Sequence, residues 1–130
     1  MAAVDDALAA LASAGLTAYD TEPSANPPAG YVLVSDRDPG HAWAHRATPT
    51  HHWTTITIDV RAVARTLNGL RDLLADVRAA LAGQRISPRL DPLRELEASP
   101  YMVTGPIGDQ RHEALIAYRT TTATEGAIRP

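Results

Sequence analysis

The sequence has no cysteine, no lysine and no phenylalanine. Without cysteine there is no disulfide framework and no thiolate to act as nucleophile or soft metal ligand. Without phenylalanine, and with an apolar share of 45% that is rich in alanine, the core must rest on leucine, isoleucine and valine with a few tryptophans and tyrosines. Such a core is thin for a chain of this size, and burial against a neighbour would add to it. Long hydrophobic runs are also missing. No stretch approaches the roughly 20 residues of a membrane span. The first residues carry Asp5 and Asp6 in place of a basic region followed by an apolar core, so no secretory signal is expected.

Charge of one sign is scarce as well. The net charge is −3 with no block of like charge, which argues against a general nucleic-acid binder, since that needs a basic stripe to displace counterions. All twelve basic residues are arginine, which a GC-rich coding sequence explains by itself. Arginine also favours planar, bidentate contacts at interfaces.

What is present fits one domain over residues 1–130, with a loose polar tail at 124–130. Val4, Ala7, Leu8 and Leu11 follow the i, i+3, i+4, i+7 pattern of an amphipathic helix, with Asp5 and Asp6 in the first turn and Gly15 placed to stop it. Residues 16–20 read as a short extended piece. Pro23, Pro27 and Pro28 make 21–30 a loop. Residues 31–34 read as a strand, 36–40 as a turn, and 40–50 as a long exposed loop or irregular hairpin arm. The clearest strand is 52–63, where Thr54, Ile56, Ile58 and Val60 alternate with polar neighbours. Leu67, Leu70, Leu74, Val77 and Leu81 then share one face of a second helix. Thr66 or Asn68 can cap its start, Gly69 weakens its first turn and Gly83 can end it. Residues 85–100 hold three prolines and read as a loop with one extended piece near 90–96. A hairpin closes the chain: a strand at 101–104, a turn at 105–109, and a long strand at 111–122 with Ala114, Ile116 and Tyr118 on one face. The order helix, strands, helix, strands predicts an α+β fold, a small antiparallel or mixed sheet with two main helices on one face.

Candidate chemistry is sparse. His41, His45, His51 and His52 fall within twelve residues. The i, i+4 spacing of His41 and His45 gathers ligands only on a helix, which Pro39, Gly40 and Pro49 disfavour, and no HExxH pattern is present. The reading is therefore exposed loop histidines, with no metal and no cofactor expected. No serine sits in a G-x-S-x-G elbow and no P-loop occurs, so no catalytic residue is assigned. Glu95 and Glu97, like Asp36 and Asp38, lie beside prolines and read as solvated loop charge. The long loops do carry Trp43, Arg37, Arg46 and Tyr101, residue types enriched at interface cores.

The order of segments carries a resemblance. The N-terminal helix runs into AGLTAYD, and a proline-rich link leads to YVLVSD. The strand–helix unit WTTITIDVRAVARTLNGLRDLLADVRAALAG follows, and the hairpin SPYMVTGPIGDQRHEALIAYRTTT closes the chain. In pattern, order and length the chain resembles the tail terminator proteins of long-tailed bacteriophages, especially those of actinobacterial hosts. The resemblance covers most of the chain and contains no sharp motif. It implies a non-enzymatic virion protein, made in the bacterial host cytoplasm, that forms a hexameric ring on the head-proximal end of the tail tube. The ring ends tube polymerisation and meets the head–tail stopper and connector proteins. The implied partners are thus further copies of the chain, the tail tube protein and the connector proteins, without sequence-specific nucleic-acid or membrane binding. The loop at 36–52 has no counterpart in that pattern. It is the candidate contact to a neighbouring subunit or to the tube, through Arg37, His41, Trp43, His45, Arg46 and His51. Three alternatives stay open: another neck, connector or tube protein, a metal-binding enzyme domain using the histidines of 41–52, and a small ligand-binding or regulatory α+β domain.

Overall fold

The computed structural model describes residues 2–37 and 53–123. The loop expected at 40–50 and the tail expected at 124–130 lie outside the described residues.

The first helix, α1, is Ala2–Ser13. It buries Ala3, Val4, Ala7 and Leu11 on one stripe. Its end is closed by two bonds that answer orphan carbonyls, Leu16 N–H to Leu11 O at 3.0 Å and Gly15 N–H to Ala12 O at 3.0 Å. Gly15 sits at φ 83°, the left-handed conformation this closure requires. The second helix, α2, is Leu67–Leu81, with Leu70, Leu74, Val77 and Leu81 buried. Of the two expected caps, Thr66 is the one used: its hydroxyl accepts from Gly69 N–H at 3.0 Å. Gly69, expected to weaken this turn, has a steric reason to be there. A Cβ at that position would lie 2.9 Å from the cap hydroxyl.

Six strands form one sheet: β1 Ala18–Asp20, β2 Tyr31–Asp36, β3 Trp53–Ala64, β4 Arg94–Ala98, β5 Met102–Thr104 and β6 Arg111–Ala123. Their spatial order is β1-β2-β3-β6-β4, with β5 also paired to β6. β1 and β2 are parallel and every other pair is antiparallel, so the sheet is mixed. Both helices lie on one face, as the α+β pattern predicts. Val32 and Val34, the row Ile56, Ile58, Val60, Ala62 and Ala64, and the row Ala114, Ile116 and Tyr118 point into the core beneath them. Alternation places these residues together, because successive strand side chains face opposite ways. Ala62, Ala64 and Ala114 share these rows with larger aliphatic residues, so the core is built from aliphatic side chains and Tyr118.

Two expectations are corrected. The extended piece placed at 90–96 is the strand β4 at Arg94–Ala98, while Leu90 and Leu93 are buried in the segment leading to it. Pro92 and Pro100 bracket the strand, where a missing N–H interrupts no ladder. Glu95 and Glu97 are accordingly strand residues in ion pairs, and Asp36 is the last residue of β2 rather than part of a turn. The hairpin turn stands as expected. Gly105, at φ 94°, faces Asp109 O at a distance that would put a Cβ 2.7 Å away.

Candidate interaction surface

The face of the sheet opposite the helices is uncovered among the described residues. In-register neighbours across it form lateral rows: Tyr31, Val63 and Glu113; Leu33, Arg61 and Leu115; Ser35, Asp59, Ala117 and Glu97. Half-buried Tyr31, Leu33 and Leu115 give one end an apolar character, reinforced by an edge-on contact of Tyr19 with Tyr31 at 6.1 Å between ring centres. Tyr31, Leu33 and Leu115 line a shallow, open groove of about 390 Å³ that also takes in Asp59, Arg61 and Glu113.

A lattice of ion pairs ties this face together. Arg37 leaves the end of β2 and reaches Asp59 at 2.9 Å and Glu97 at 3.0 Å. The hydrogen bond that the Arg37 guanidinium donates to Asp59 is the main reason the Arg37 pKa is held above its usual value. The two carboxylates flank Ala117 in the register, so the guanidinium that joins them spans β6 above it. Ala117 is fully buried on a face no helix covers, and this bridge accounts for it. Arg61 pairs with Glu113 at 2.9 Å, and the second oxygen of Glu113 accepts from the Thr104 hydroxyl. On the helix side, Arg78 of α2 holds Glu95 at 2.9 Å, which fastens the edge strand to the helix layer. Both carboxylates of the groove, Asp59 and Glu113, are therefore already engaged by arginines.

The two edges of the sheet differ. The β1 edge is three residues long and lies beside α1. The other edge is β4 and β5 laid end to end along β6, and no further strand pairs with it among the described residues. Its β4 half carries charge around the lone Leu96, while its β5 half is apolar: Leu96, Tyr101, Met102 and Val103 are each 40–54% exposed, and Ile107 at the hairpin tip is 96% exposed. Natural proteins usually shorten, charge or cover such an edge, since unpaired backbone groups beside apolar side chains invite pairing with another chain.

Of the residues expected at an interface, Arg37 is placed by the structure at the exit of β2, engaged as described. His41, Trp43, His45, Arg46 and His51 lie outside the described residues. Among the described residues there is no group of three or more side chains suited to hold a metal ion, and no helix is long and apolar enough to cross a membrane. Tyr101, noted for its type, stands on the exposed edge. The sequence predicts an extended piece at 90–96 but not its pairing with β6 or its place beside β5, so the edge is not legible as a unit. The signal was the alternation of Arg94, Glu95, Leu96 and Glu97 between two prolines, a pattern a charged edge strand shares with a solvated loop. No known family and no curated protein matches this chain.

Proposed function

We propose that this chain is a structural virion protein that caps the head-proximal end of a phage tail tube. It would do so as a ring, ending tube polymerisation and presenting a surface to the head-completion proteins. The hexamer and the tube come from the resemblance in segment order. The observation that best supports an assembly role is the exposed β4–β5 edge, with Leu96, Tyr101, Met102, Val103 and Ile107 beside strand backbone that no further strand pairs among the described residues. A lone domain gains nothing by leaving that edge bare, whereas a ring or tube neighbour would bury it. The loop at 36–52 remains the proposed reach toward a neighbouring subunit or the tube.

Deleting the gene from the phage that carries it tests the reading. Tails of uncontrolled length, unattached to filled heads, are expected. Tails of normal length joined to heads would contradict it. Flanking genes for tube, tape-measure and connector proteins are the corresponding genomic expectation.

A further inference from the structure

Two like-charge pairs stand on opposite faces of the domain. On the open sheet face, Arg94 of β4 is the direct cross-strand partner of Arg119 of β6. Both are exposed, and neither side chain has an ion-pair or hydrogen-bond partner among the described residues. Like charges directly opposite each other destabilise a sheet. The nearby acids are committed elsewhere: Asp59 and Glu97 to Arg37, Glu113 to Arg61, and Asp91 to the Thr121 hydroxyl.

On the outer face of α2, Asp72 and Asp76 form an i, i+4 pair of exposed acids. They project away from the buried stripe of Leu70, Leu74, Val77 and Leu81. No arginine stands three or four residues from either one, and neither has a partner among the described residues. An i, i+4 pair of acids is unfavourable on a helix by itself. Exposed Ala75 and Ala79 flank them, leaving this face low and open to close approach.

The two pairs are opposite in sign and alike in spacing. Neighbours at i, i+4 on a helix have Cβ atoms roughly 6 Å apart, and directly opposed residues in antiparallel strands roughly 5 Å apart. We infer that the Arg94–Arg119 pair of one copy docks on the Asp72–Asp76 pair of the next, forming two guanidinium–carboxylate contacts and relieving both repulsions. Because the surfaces lie on opposite sides of the domain, the contact is head-to-tail. Copies joined this way close into a ring or extend as a filament, according to the rotation between neighbours. The choice of a second copy as occupant rests on the ring reading, while the charge match stands without it.

The test is sedimentation velocity of the full chain at low ionic strength. Three proteins are compared: wild type, the double variant Arg94→Glu with Arg119→Glu, and the double variant Asp72→Arg with Asp76→Arg. Wild type is expected to self-associate and to dissociate as salt rises. Each double variant should lose at least roughly thirtyfold in self-affinity. Mixing the two variants should restore association, because the reversed sheet face of one now meets the reversed helix face of the other. Every substituted side chain is exposed, and far-ultraviolet circular dichroism checks that the variants fold. A monomeric wild type, variants that associate as wild type does, or a mixture that stays apart would overturn the inference. Variants that associate normally would leave the ring reading standing on another surface, and the gene deletion decides that reading separately.

Discussion

Ser99 bonds to Leu115 twice. Its N–H donates to Leu115 O at 2.8 Å, and its hydroxyl accepts from Leu115 N–H at 2.9 Å. The side chain thus does what a strand carbonyl would do, at the point where the chain leaves β4 and has not yet begun β5. This continues the pairing of the edge with β6 across the break before Pro100, between the ladders that β4 and β5 each form with it.

Ser99→Ala is therefore expected to cost about 1–2 kcal/mol, since it leaves a half-buried amide without its acceptor. Amide exchange should quicken most at Leu115 and along β5, with α1 and β2 little changed. Uniform loss of protection across the sheet, or none at Leu115, would contradict this role.

The Arg37 bridge gives an ordered pair of expectations. The Asp59 side chain is 20% exposed and that of Glu97 is 60% exposed, so water screens the second contact more. Double-mutant cycles by chemical denaturation should return a coupling of about 1 kcal/mol for Arg37 with Asp59 and less than about 0.5 kcal/mol for Arg37 with Glu97. A larger coupling to Glu97 would mean that the bridge over Ala117 is not held as described.

Tyr118 is the largest of the fully buried side chains, and its hydroxyl has no hydrogen-bond partner among the described residues. Burial, aided by the nearby Glu95 carboxylate, pushes its pKa up from 10.0 to about 12. The folded state therefore keeps this proton where the unfolded chain has begun to lose it. The stabilisation is whole below pH 10 and is lost between pH 10 and about 12. Tyr118→Phe should be neutral or more stable by about 1 kcal/mol at pH 7, because no hydrogen bond is given up. It should also lose stability less steeply than wild type above pH 10. Clear destabilisation at neutral pH would reveal a partner for the hydroxyl.

Much of this was legible before any coordinates. The alternation of Ile56, Ile58 and Val60 and the helical stripe from Leu70 to Leu81 fix their elements because both faces of each differ sharply in polarity. Gly15 and Gly83 marked their helix ends for the same backbone reason, standing at φ 83° and 71°. β4 was not legible. Its lone large apolar residue, Leu96, is exposed, and its acids are answered by Arg37 and Arg78, which only the folded sheet brings near. The opposition of Arg94 to Arg119 was hidden likewise, since it depends on a register broken by a bulge between Glu95 and Glu97. Local patterns reveal which face is buried. They do not reveal which charges meet across strands far apart in the chain.

The central claim, a ring that caps a tail tube, is tested most directly by electron microscopy. The purified chain would be mixed with tubes assembled from the tail-tube protein of the same genome. The expected result is one closed ring on one end of each tube and an arrest of further elongation. Tubes that keep growing with bare ends, or long cylinders built from this chain alone, would contradict it.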